Sequence, residues 1–358
     1  MWKTIFILIS TGLLSTSLLS VNALVGLSDV PADSMVVNED VPSVPKDTLP
    51  ESIEFKSTEL GFSKLPDTPA DNPITDAKIR LGRKLFFDPI LSHDGTVACA
   101  SCHRPEAAFA SNDKLAVGIK GRKGTRNVPT VLNRGYGENF SWDGSSDSLE
   151  DQSTGPLTNE NELGNPDVES VVKRLQADDS YTEQFEAAFE NSDDRTVSAK
   201  NLSRALATFQ RALTYGETAV DRFRASEYSA LSREARQGMW IFESRGMCWK
   251  CHNGENFSDE KFHNTGVSFD QADRDVGRFD VTEKESDRFK FKTPGLRGVA
   301  LTAPYMHDGS EATLKDVVEF YNRGGAPNDP NLDADMKPLK LSETEVGYLV
   351  EFLKAMSK

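Results

Sequence analysis

The chain has 358 residues, 37% of them apolar, and a formal net charge of −15. That length holds two modest domains beyond a leader. The acidic balance argues against a nucleic-acid binder and suits a basic redox partner.

Met1-Trp2-Lys3, the apolar run Ile5 to Leu19 and the small-residue end Val21-Asn22-Ala23 predict a secretory signal over 1–23, cleaved before Leu24. Ser10, Thr11, Ser15, Thr16 and Ser17 interrupt the run, so an uncleaved anchor is the weaker alternative. Residues 24–72 are acidic and proline-bearing, with too little apolar surface to offset their ordering entropy, and predict a disordered tether. From there the pattern is helical. Val168, Val171, Val172 and Leu175 share one helix face, as do Leu202, Leu206, Phe209 and Leu213. Thr313-Leu-Lys-Asp316 opens a helix carrying Val317, Phe320 and Tyr321, and Ser342-Glu-Thr-Glu345 is a capping box before Val346, Leu349, Val350 and Leu353. No alternating strand pattern with hairpin turns competes.

All four cysteines fall in two copies of one pentad, Cys99-Ala-Ser-Cys102-His103 and Cys248-Trp-Lys-Cys251-His252. Cys-x-x-Cys-His is the attachment signature of a c-type haem. Each thiol bonds one vinyl group of the porphyrin, and the adjacent imidazole becomes an axial iron ligand. A redox disulfide or a half zinc site would use the same cysteines, but zinc needs two further ligands per site. Repetition, with histidine following each time, favours two covalently bound haems. Such haems are attached outside the cytoplasmic membrane, so export to the periplasm is expected. Leu81-Gly-Arg-Lys-Leu-Phe86 precedes the first pentad as Gln237-Gly-Met-Trp-Ile-Phe242 precedes the second, a loose repeat that predicts duplication. The expected fold is mostly α, with two cytochrome c-like haem domains in tandem over residues 73–215 and 216–358.

Several segments bear a wider resemblance. Besides the pentads and Leu81–Phe86, they are Arg126-Asn-Val-Pro-Thr-Val-Leu-Asn133, Trp142-Asp-Gly144, Phe291-Lys-Thr-Pro-Gly-Leu-Arg297 and Leu301-Thr-Ala-Pro-Tyr-Met-His-Asp-Gly309. In this order, from about Ile74 to the C-terminus, the chain resembles the bacterial di-haem cytochrome c peroxidase and MauG family. The resemblance implies that hydrogen peroxide reacts at the N-terminal haem and that electrons pass through the C-terminal haem. It places Trp142 as the bridge between them, Glu162 as the catalytic carboxylate and Gln152 as its companion. Without the resemblance, Glu160 and Glu162 read as a solvated acidic loop. It further implies one calcium ion held by Asn127, Thr302 and Pro304 with water. The implied partner is a small electron-donor protein, a c-type cytochrome or cupredoxin, with a protein substrate as a further possibility.

At two positions the chain departs from the typical peroxidase. The stretch Arg104 to Arg126 holds no histidine or methionine, which predicts a vacant sixth position on the N-terminal haem, with Lys114 or Lys120 as minor alternatives. Fourteen residues beyond His307, where the family usually has methionine, stands Tyr321. MauG-type members use tyrosine there, and a phenolate lowers a haem potential where a thioether raises it. Met306 is the competing ligand. His93 and His263 read as surface or haem-edge residues, and His307 as a hydrogen-bonding group near a haem. A plain di-haem electron carrier remains the non-enzymatic alternative.

Overall fold

The computed structural model describes residues 41–358 apart from residues 54, 56 and 57. The expected signal, its cleavage point and the first part of the tether lie outside the described residues. The architecture is mostly helical. In the first half run α1 (Asp76–Phe87), the single turn α2 (Cys99–Cys102), α3 (Leu149–Gln152), α4 (Gly155–Thr158), α5 (Val168–Gln176), α6 (Asp179–Ala188) and α7 (Ala199–Ala212). The second half carries α8 (Ala219–Arg224), α9 (Arg233–Glu243), α10 (Phe279–Thr282), α11 (Leu314–Asn322) and α12 (Glu343–Lys354). Its strands β1 (Phe262–His263) and β2 (Phe291–Lys292) pair antiparallel, with Phe262 opposite Lys292.

Helix starts follow local chemistry. The hydroxyls of Thr75, Ser198 and Ser232 accept from the amides of Lys78, Asn201 and Ala235, and reciprocal capping boxes form at Thr313–Asp316 and Ser342–Glu345. Each such cap contributes about 1 kcal/mol. The loose repeat has a packing reason. A Cβ on Gly82 of α1 would collide with the Ala205 carbonyl and Phe209 of α7, and one on Gly238 of α9 with the Tyr348 carbonyl and Phe352 of α12. In each half, then, a glycine lets the helix before the pentad press against the half's last helix. Around these crossings lie two hydrophobic cores. One includes Leu81, Phe86, Leu202 and Phe209; the other Ile241, Phe242, Leu349 and Phe352. Burying each such side chain is worth roughly 1.5–3 kcal/mol.

The described part of the expected tether, residues 41–72, is not a free strand. Val41, Leu49 and Phe55 pack on the first core. Arg83 takes the Asp47 carboxylate with two nitrogens. Farther on, Phe62 stacks on Tyr136 at 4.2 Å, and the Glu217 amide donates to the Leu60 carbonyl at 2.7 Å. A few well-placed apolar residues and a guanidinium partner outweigh the low mean hydropathy that suggested disorder. Among the described residues no helix is long and apolar enough to cross a membrane.

This segment also closes over a buried ion pair. Arg297 meets Asp221 at 2.6 and 2.8 Å, with side chains 1% and 2% exposed, and donates to the Gly61 carbonyl at 3.1 Å. Burial pushes the Asp221 carboxyl up, but the Arg297 and Thr218 contacts outweigh it and hold the carboxyl below its usual value. Its stabilisation is therefore complete above the unfolded carboxylate's pKa and is lost as pH falls through the lower folded one. Asp221→Asn leaves Arg297 buried and unbalanced, so we expect a loss of about 3–5 kcal/mol, read as a lower urea midpoint at neutral pH. An unchanged midpoint would show that the pair is dispensable.

Candidate functional site

Both pentads form tight turns and present their histidines in the same way. His103 Nδ1 lies 3.0 Å from the Phe109 carbonyl, and His252 Nδ1 lies 3.0 Å from that of Phe257. Phe109 and Phe257 have left-handed backbones, φ 57° and 53°, which turn those carbonyls back onto the rings. A histidine whose Nδ1–H is so engaged keeps Nε2 as its lone-pair nitrogen, the form that ligates a metal. No disulfide links the cysteines. Burial pushes the thiols of Cys99 and Cys248 up to about 12 and that of Cys102 up to about 11. Redox dithiols need the opposite shift, so this chemistry speaks against the disulfide alternative. Cys251, Asp259 and His263 could together approach a metal, but a thioether at Cys251 takes its sulfur from that set.

One cavity of about 2390 Å³, its mouth included, is bordered by both pentad histidines. Its border includes Val131, Leu132, Phe140, Leu314, Val318 and Leu349, the apolar lining a porphyrin face needs. The donor set fits two covalent haems; Cys248 and Cys251 border this space with His252, whereas of the first pentad only His103 does, and Glu162 lies outside its border. Trp142, Gln152, Asn127, Thr302, Pro304, Met306 and Tyr321 also border the cavity. From the segment 104–126 only Ala110 does; Lys114 and Lys120 do not.

Trp142 sits at the junction of the halves. Its Nε1–H donates to the Asn127 carbonyl at 2.8 Å, and its own carbonyl accepts from the Lys292 amide at 2.8 Å. The His307 ring stands edge-on to it at 6.5 Å and stacks on Phe291 at 3.5 Å. His307 Nε2 is buried without a partner on the cavity border. Arg126 braces this junction by pairing with both Asp143 and Asp275. The Asn127 amide nitrogen donates to the carbonyls of Asp113 and Lys114 at 3.1 and 3.2 Å, which leaves Oδ1 as the free end.

The two acidic-loop glutamates differ. Glu160 is 80% exposed beside Arg122. Glu162 is half-buried on the turn after α4, and its backbone carbonyl accepts from the Ile119 amide at 2.9 Å. A side chain on Gly118 would strike the backbone of Asn161 and Glu162, so glycine is what lets this turn approach. Burial raises the Glu162 carboxyl above its ordinary value; Asn159, donating to Oε1 at 2.7 Å, partly offsets this. Across the molecule, Tyr321 closes the last turn of α11. Burial first, and then the charges of Cys251 and Cys248, hold its phenol above the ordinary range, which places it against the second pentad. A bound metal cation inverts that preference.

Comparison with known proteins agrees with this geometry. A family model described as di-haem cytochrome c peroxidase matches residues 76–229. The methylamine utilization protein MauG of Methylorubrum extorquens is 39% identical over 290 residues, 80% of each chain. This chain belongs to the di-haem cytochrome c peroxidase family. A cytochrome-c peroxidase, IdrP1, of Denitromonas iodatirespirans is 36% identical over 320 residues, 81% of this chain and 84% of its own. A crystal structure of a MauG-like protein associated with microbial copper homeostasis superposes with TM-score 0.76 at 30% identity, over 87% of this chain and 95% of that one. Family membership implies two c-type haems, in keeping with the pentads. Sequence reasoning missed two cations that border the cavity, Arg134 and Lys292, and the Glu260 carboxylate they share. Lys292 lay within a quoted segment, but only the fold brings it to the other two.

Proposed function

We propose that this chain is an exported di-haem peroxidase that reduces hydrogen peroxide at its N-terminal haem, with two cytochrome c-like domains in tandem and MauG-type ligation. The observation that carries the reading is the Glu162 carboxyl, raised by burial and near enough to the first pentad for its charge to act on the thiols of Cys102 and Cys99, beside a segment 104–126 without histidine or methionine. Bound haem supplies an iron that peroxide reaches and a store for single electrons. The rest falls to the chain. His103 and His252 would hold the two irons through their Nε2 nitrogens, and Tyr321 would offer its phenol oxygen at the second centre, with Met306 as the competitor. Glu162, through its free Oε2, takes a proton from peroxide and returns it to the departing oxygen, with Gln152 orienting the substrate. Trp142 bridges the centres. Overall, peroxide, two electrons and two protons give two waters. Asn127 Oδ1 with the carbonyls of Thr302 and Pro304 would hold calcium, a hard ion suited to oxygen donors and water.

Electrons enter at the second attachment turn. In the first pentad Ala100 and Ser101 are sealed, 0% and 1% exposed. In the second, Trp249 is 47% exposed and shares a recess with His252. A donor protein with an apolar face and basic rim would suit this turn and the net charge of −15. Trp249→Ala should weaken reduction by a small ferrous c-type cytochrome roughly 10- to 30-fold, as loss of an interface anchor does. Reduction by a small inorganic reductant should be unaffected. Equal rates with the cytochrome would move the entry point elsewhere.

The direct test of the function adds stoichiometric peroxide to the purified di-ferric protein and follows the spectrum. Change without prior reduction supports the reading. No reaction, with both centres fully coordinated by nitrogen or sulfur, leaves a plain electron carrier. Tyr321 favours a second reading, in which the oxidising equivalents are spent on a protein side chain as in MauG-type chemistry.

A further inference from the structure

The cavity wall where the two halves meet carries one cation too many. Arg134, from the first half, puts two guanidinium nitrogens on the Glu260 carboxylate at 2.9 and 3.0 Å. Lys292, from the second half, reaches that carboxylate only at 3.6 Å. Its side chain is 8% exposed, and both cations border the cavity. Its backbone is fixed at the junction, with β2 pairing it to Phe262 and its amide donating to the Trp142 carbonyl at 2.8 Å. A carboxylate already forked by a guanidinium does not balance a second buried charge. Burial first, and then Arg134, pull the Lys292 ammonium down to about 7 against the opposing pull of Glu260 and of Asp259, whose own carboxylate is engaged by His263 at 3.1 Å.

We propose that Lys292, backed by Arg134 and Glu260, is the seat of a carboxylate group inside the cavity, either a haem propionate or a small free carboxylate. This rests on the reading that haem fills the cavity. A carboxylate held there is fastened to both halves at once and, through the Lys292 amide, to the backbone of Trp142. The seat therefore sets the charge felt by a haem beside the bridge.

The test uses the full haem-loaded chain, with haem content by pyridine haemochromogen and both couples by redox titration. Two haems per chain check the cofactor reading separately. Lys292→Met removes a buried positive charge and should favour the oxidised form of one couple about tenfold, a fall of about 59 mV for one electron. Glu260→Gln should shift the same couple the opposite way, and Lys292→Arg should keep the wild-type value. Formate, added as the free probe, separates the sources. A wild-type potential indifferent to formate, with Lys292→Met still shifted, assigns the seat to a haem propionate. A formate-dependent potential that Lys292→Met abolishes assigns it to a free carboxylate. A chain holding both haems whose couples ignore Lys292→Met and formate overturns the seat. Should Lys292→Met not fold, Glu260→Gln carries the same decision: an unshifted couple overturns it.

Discussion

Glu162→Gln is expected to remove the immediate spectral response to stoichiometric peroxide and to cut turnover by about 10²–10⁴-fold, the usual worth of a positioned acid–base group. Glutamine keeps the size and the hydrogen bond to Asn159 but cannot carry the proton. Glu160→Gln, on an 80% exposed side chain, should leave the rate unchanged. The pH profile gives a second readout. The proton-accepting form is the carboxylate, so activity should rise with pH through the Glu162 pKa. Burial places that limb above the free-glutamate value of about 4.3. Asn159→Leu removes the group that holds the pKa down, so the limb should move to higher pH. Full activity in Glu162→Gln would assign the proton transfer elsewhere.

Replacing Tyr321 should have the next largest effect. A buried phenol oxygen on the second iron stabilises the oxidised state, whereas a thioether stabilises the reduced one. Tyr321→Met should raise the potential of that centre by a sizeable part of the roughly 0.8 V that axial ligands span. Tyr321→His should replace the low-spin spectrum with that of a bis-histidine centre. Electron donation from a high-potential protein should then become easier and storage of oxidising equivalents harder. An unchanged spectrum in either variant would remove Tyr321 from the iron. Met306→Leu then identifies the alternative, since Met306 borders the same cavity.

Much of the local architecture was legible in residue order. The helix faces at Leu202–Phe209 and Val168–Leu175 emerge as α7 and α5, and the capping boxes at Thr313 and Ser342 form as written. Capping and periodicity act within a turn or two, so sequence carries them directly. The packed segment 41–72 was misread for the opposite reason: its order comes from distant partners, Arg83, Tyr136, Arg297 and Glu255. Composition holds no trace of them.

The site divides along the same line. The pentads name both haem attachments by themselves, because two thiols and an imidazole must lie within five consecutive residues to reach one macrocycle. Arg134, Glu260 and Lys292 carry no such signature, since they are isolated charges separated by up to 158 residues. Only the fold brings them together beside the cavity, sorts half-buried Glu162 from exposed Glu160, and joins Trp142 to both halves. Covalent attachment is local chemistry written in adjacent residues. Desolvation and charge balance depend on what the remainder of the chain brings alongside, and that is decided in three dimensions.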